Sequence, residues 1–307
     1  MSALLGGALW AAMLASFLAG NAQLGAIELL LLLAILVSVP LGLDLAVTPD
    51  ARGNTSSLFR LARFAQPFGA LAAAGSFLVP AGPVSGALAA GWMIVTVLMA
   101  LFGLERLFRR RTLRPDELCI DMALLYVPVG GAWLLITRFG GSLLGFGGVV
   151  ALLTAVHFHY AGFIAPVIAG MTGRIIRAAR PRAWGLYRAA ALGIIAGPPL
   201  VALGITTSPA VEVVSAVVLA AALGTHAGLL LFAVIPMLAA PRERWLLGIA
   251  ACASAVAMVL AVLYAAGTFL QISIITIPQM AASHGILNGL FALGGLLGWG
   301  IVRPRAE

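Results

Sequence analysis

Apolar runs of about 20 residues return from one end of this chain to the other, and each is long enough to cross a bilayer as a helix. Only 9% of the 307 residues are charged, whereas a soluble domain carries about 25%. Runs such as IELLLLLAILVSVPLGL (27–43) are continuous rather than alternating, which excludes a transmembrane barrel. The sequence therefore predicts an all-α, polytopic transmembrane bundle. Ten segments are read, at 3–20, 26–43, 65–80, 84–103, 118–136, 144–170, 187–207, 210–239, 246–267 and 279–301. They form one integral-membrane domain over 1–307. The connectors are too short to build a soluble core.

The arginines set the orientation. All 18 basic residues are arginine, and 17 of them follow the even-numbered segments; Arg138 alone falls in a connector of the other parity. Positive-inside bias then predicts that both termini are cytoplasmic. The first segment has no basic residues ahead of it, so it is read as a retained helix; cleavage as a signal peptide would leave nine. The net charge of +8 is a topology signal here and does not imply nucleic acid. LFRLARF (58–64) and RIIRAARPRAWGLYR (174–188) read as amphipathic cytoplasmic segments lying on anionic headgroups, with Trp184, Trp245 and Trp299 near that interface. The acids Asp44, Asp50, Glu105, Asp116, Glu117 and Glu243 read as interfacial charge balance beside those arginines, and Asp121 as a cap or partner at the start of the fifth segment. Glu28 is a candidate acid because LLLLLAIL follows it closely; its alternative reading is a helix-end residue. Cys119 and Cys252 lie in separate apolar segments with no CxxC spacing, and read as small buried residues.

The chemistry-bearing residues are the four histidines, His157, His159, His226 and His284. All lie inside apolar runs, in the sixth, eighth and tenth segments. An ionisable side chain at such a position is a functional-site hypothesis by default. The three segments run in the same direction, so the histidines are expected to gather around one buried polar pocket. His157 and His159 are two positions apart, about 200° around a helix, and face nearly opposite ways. His157 is expected to be the inward ring, because Thr154 and Tyr160 fall on its side. His284 shares a face with Asn288. Pro166 and Pro236 each free a carbonyl one turn earlier, at Gly162 and Phe232.

LLTAVHFHYAGFIAPVIAG (152–170) and SHGILNGLFALGGLLGW (283–299) resemble the two signature segments of the YndJ-like family. The first carries the His-Phe-His-Tyr-Ala-Gly-Phe core (157–163), the second the His-Gly-x-Leu-Asn core (284–288). The resemblance implies a multi-pass protein of the bacterial inner membrane, and implies no particular activity.

Three functions fit the sequence. The first is a membrane-embedded enzyme. Its four histidines would hold a transition metal or haem, as in an oxidoreductase, or do acid–base chemistry on a lipophilic small molecule such as a lipid or isoprenoid. Tyr160, Asn288 and Thr154 would then contact substrate. The second is a transporter with the histidines on a proton or substrate path. The third is a non-catalytic accessory protein in which the imidazoles tie helices together. The sequence leaves oligomeric state open.

Overall fold

Prolines and capping groups mark where the helices begin. The structure, a computed structural model, describes residues 2–20, 24–47 and 55–303; Asp50, Arg52 and Arg305 lie outside them. Ten helices follow in order: α1 (Ser2–Leu18), α2 (Ala26–Ala46), α3 (Ser57–Ser76), α4 (Pro83–Arg110), α5 (Pro115–Phe139), α6 (Gly148–Ala179), α7 (Pro181–Thr207), α8 (Pro209–Met237), α9 (Pro241–Leu270) and α10 (Ile277–Val302). Eight are long and apolar enough to cross a membrane; α1 is shorter, and α3 carries Arg60, Arg63 and Gln66. Proline opens α4, α5, α7, α8 and α9, where its missing N–H costs nothing. Ser56 Oγ accepts from the N–H groups of Leu58 and Phe59, and Ser208 Oγ from that of Val211. The α5–α6 connector holds a two-residue antiparallel pair, β1 (Ser142–Leu143) with β2 (Phe146–Gly147). Leu144 and Gly145 turn it with φ of 54° and 81°.

Three further prolines sit inside helices, each just after a π-helical turn. Those turns are Ala34–Ser38 before Pro40, Tyr160–Ile164 before Pro166, and Leu230–Val234 before Pro236. Proline offers no N–H and its ring pushes away the carbonyl four residues back. That carbonyl belongs to Leu36, Gly162 or Phe232, the middle residue of each π turn. A fourth π turn, Ala281–Gly285, contains His284. Pro67, Pro128 and Pro198–Pro199 stay within unbroken helix.

The chain divides into two compact units. The first comprises 1–112 and 121–163. In it α1 lies on the π turn of α2: Gly6 faces the Leu36 carbonyl so closely that a Cβ would collide with it, and Trp10 Nε1 donates to Leu29 O at 2.8 Å. Gln66 Nε2 reaches Ile35 O in the same turn. Arg138, the arginine of opposite parity, is consumed here. Its Nε donates to Ser85 Oγ at 2.7 Å and its Nη2 to Ser76 O and Val79 O at 2.9 and 2.8 Å, with Phe77 under the guanidinium. It closes the C-terminal end of α3 instead of reporting topology. The second unit comprises 113–120 and 164–307. It holds the second half of α6 with α7 to α10, and the antiparallel pairs α7–α8 and α9–α10 pack most extensively.

Two expectations change. LFRLARF is the opening of α3, which starts at Ser57 rather than 65. The Ser56 cap begins the helix there, and Arg63 is held by Asp44 at 2.6 Å. RIIRAARPRAWGLYR is likewise cut in two, because Pro181 ends α6 and starts α7. Trp299 is fully buried within the protein, while Trp245 is 74% exposed.

Candidate functional site

His157 and His159 belong to the first unit, and His226 and His284 to the second. Each must be built from its own surroundings. The last regular turn of α6 before the Tyr160–Ile164 π turn presents His159 inward, fully buried, and His157 half-buried. The two rings face apart, as two-residue spacing requires. The expectation for the inward ring is reversed, because the partner that decides it lies on α4. Trp92 Nε1 donates to His159 Nε2 at 3.0 Å with the rings stacked, and His159 Nδ1 lies 2.7 Å from Ala155 O. A carbonyl only accepts, so Nδ1 carries the hydrogen and Nε2 takes the indole proton donor. Both nitrogens are spent. Gly130 on α5 makes the niche: a Cβ there would stand 2.6 Å from Nδ1. His157 packs edge-on against Phe158.

The neighbouring candidates are also engaged. Thr154 Oγ1 donates to Val150 O, within its own helix. Tyr160 is buried, and its hydroxyl donates to Leu30 O of α2 at 3.0 Å.

In the second unit, His226 is buried on α8 one turn before a π turn. Its Nε2 stands 2.9 Å from Thr172 Oγ1. The single hydroxyl hydrogen of Thr172 goes to Ile168 O, so Nε2–H donates to Oγ1 and ties α8 to α6. His284 differs. It is half-buried, and its Nδ1 lies 2.8 Å from Ala257 O on α9. Nδ1 therefore bears the hydrogen, and Nε2 keeps its lone pair. Asn288 Nδ2 donates to His284 O, one turn back. Among the described residues no three His, Cys, Asp or Glu side chains form a group able to hold a metal ion. The donor set for a shared histidine metal centre is thus not assembled within either unit.

The acids pair with arginines as expected, Asp121 included, but Asp116, Glu117 and Asp121 at the start of α5 are also fully buried, which the sequence reading did not foresee. Arg174 grips Glu117 with two bonds of 2.6 and 3.0 Å, and Arg177 holds Asp116 at 3.0 Å. In the other unit Asp121 takes Arg106 at 3.0 Å and also Arg110, and Arg106 Nη1 donates to Ala46 O at 2.5 Å. Two-pronged arginine–carboxylate geometry is the strong form of such pairs. A legible signal existed: three acids in six residues where an apolar helix begins, between arginine-rich connectors. Glu28 is a helix-end acid, accepting from Gly25 N–H at 3.1 Å.

The ten helices of the described residues, eight of them long and apolar enough to cross a bilayer, define a multi-pass α-helical membrane protein embedded in the lipid bilayer. The chain belongs to the YndJ-like family, whose sequence model matches residues 29–292. It is 32% identical over 211 residues to the uncharacterized membrane protein YndJ of Bacillus subtilis (strain 168). That alignment covers 68% of this chain and 37% of the relative, so the chain spans little more than a third of its relative's length. No solved structure matches.

Proposed function

We propose that this protein performs acid–base chemistry on a lipophilic small molecule in the bacterial inner membrane, with His284 as the proton-transferring group. One observation carries the reading: His284 Nδ1 is held by the Ala257 carbonyl. A hydrogen bond at one ring nitrogen fixes the tautomer and aims the other nitrogen outward. Nε2 then takes a proton from a hydroxyl or activated C–H of the substrate and returns it to the product. His159 cannot serve in this way, since Trp92 occupies its lone pair, and His226 is sealed at 1% exposure. The half-buried His284 joins a fixed tautomer to access. The π turn that carries it supports the same reading, because such turns recur at functional sites.

The test has two readouts. Nitrogen-15 spectra of histidine-labelled protein in nanodiscs should show His284 protonated at Nδ1; protonation at Nε2 alone would end the proposal. Incubating the protein with total bacterial lipid extract should convert one lipid or isoprenoid species, and His284→Gln should stop that conversion with an unchanged melting temperature. A folded His284→Gln protein that converts the species at the wild-type rate, or a wild-type protein that converts none, rejects it.

A further inference from the structure

The outer end of the α9–α10 pair, opposite Arg242 and Arg244, carries a recess of about 380 Å³ that the histidine chemistry does not use. Its origin is local. α9 ends at Leu270 with Gln271 in the left-handed region, φ 57° and ψ 35°. Ile272 N–H then returns to Gly267 O at 3.0 Å. A Cβ on Gly267 would stand 2.8 Å from Ile272 O, so only glycine lets the connector fold down onto the helix. The recess lies between this connector and the two helix ends.

Its lining is polar and uncharged: Tyr264, Thr268, Gln271, Ser273 and Thr276 supply hydroxyls and an amide, and no Arg, Asp or Glu lines it. Gln271 Nε2 is spent on Thr268 O at 2.7 Å, leaving Oε1 as an acceptor. Thr268 and Thr276 hydroxyls donate to Tyr264 O and Gln279 Oε1, and so also offer lone pairs. The Tyr264 and Ser273 hydroxyls have no hydrogen-bond partner among the described residues, and serve as donors. Its apolar side is Ile272, Ile275 and Ile277, with Ile272 54% exposed.

We infer that this recess binds the neutral, hydroxyl-rich headgroup of a membrane amphiphile, of the glycosyl-diacylglycerol kind, with the acyl chains along the apolar side. Interleaved hydroxyl donors and acceptors match a sugar. A phosphate headgroup would find no arginine to pair with, and phosphate recognition rests on such charges. A free sugar would leave the apolar side unused. Gln271 sets its amide at the recess with Oε1 left to accept.

Native mass spectrometry from nanodiscs with equal amounts of diglucosyl-diacylglycerol and phosphatidylglycerol tests this. The diglucosyl lipid should stay on the protein at least about fivefold in excess, the scale of one net hydrogen bond. Gln271→Gly relieves the backbone while removing the amide, so it should keep or raise the melting temperature and lose that preference; Ser273→Ala should weaken it. Equal retention of both lipids overturns the inference, as does an undiminished preference in the Gln271→Gly, Ser273→Ala double variant. Binding of maltose without acyl chains at the same affinity rejects an amphiphile. None of these readouts involves His284, so either proposal can fail alone.

Discussion

At the scale of single residues, His159 and Trp92 form a fully buried polar pair of the first unit. Replacing His159 with Leu leaves the indole N–H buried with nothing to accept it. An orphaned buried donor costs about 1–3 kcal/mol, more than the roughly 0.6 kcal/mol of an average hydrogen bond inside a membrane protein. His159→Leu is therefore expected to lower unfolding free energy by about 1–3 kcal/mol, and the half-buried His157→Leu by less. Adding Trp92→Phe to His159→Leu should recover part of the loss, since the orphan goes too. Equilibrium unfolding of the three variants in mixed micelles checks this; a His157→Leu cost equal to that of His159→Leu contradicts the assignment. The sequence showed that the HFH rings face apart, because that follows from helical spacing alone. It did not show which faces inward, because Trp92 is 67 positions away and Gly130, which makes room, is on a third helix. Thr154 and Tyr160, the local guides, spend their hydroxyls on backbone carbonyls.

At the scale of elements, helix positions were legible and their irregularities were only half so. Apolar length and first-turn prolines suffice to place most of the spans. The third came out late because LFRLARF looks like an interfacial strip until Ser56 and Asp44 are seen to hold it in α3. Pro166 and Pro236 pointed to freed carbonyls at Gly162 and Phe232; that the backbone answers with a π turn rather than a kink depends on its packing. The Ala34–Ser38 turn yields a sharp prediction. Gly6 abuts the Leu36 carbonyl, whereas a Cβ on Gly7 would meet nothing within 4 Å. Gly6→Ala must push α1 away from α2, at a cost of about 1–3 kcal/mol as for other overpacked contacts. Gly7→Ala should be silent or slightly stabilising, as alanine is the better helix former. Thermal melts of the two variants decide it: equal melting temperatures would mean that α1 does not dock through Gly6.

At the scale of the whole molecule, the arginine pattern does two jobs that the sequence shows as one. Arginines such as Arg109, Arg182 and Arg242 are exposed beside the helix ends, where positive charge reports topology. Arg106 and Arg174 instead turn inward to buried carboxylates, which the sequence hides because burial depends on which helices become neighbours. Their parity still agrees with the exposed set, since a buried guanidinium has to begin near the basic end of its own span. Arg138 breaks parity because its charge is consumed by the α3 terminus. With Arg138 set aside as structural, the remaining arginines share one parity, and positive-inside bias predicts that the α2–α3, α4–α5, α6–α7 and α8–α9 connectors and the end of α10 are cytoplasmic. Single cysteines test this after Cys119 and Cys252 are replaced by Ala. Ala178, exposed near the end of α6, and Thr207, exposed at the end of α7, mark opposite sides. An impermeant maleimide added to intact cells should label Thr207→Cys, and should label Ala178→Cys only after the membrane is opened. The reverse pattern would invert the protein and, with it, put the uncharged recess on the cytoplasmic face.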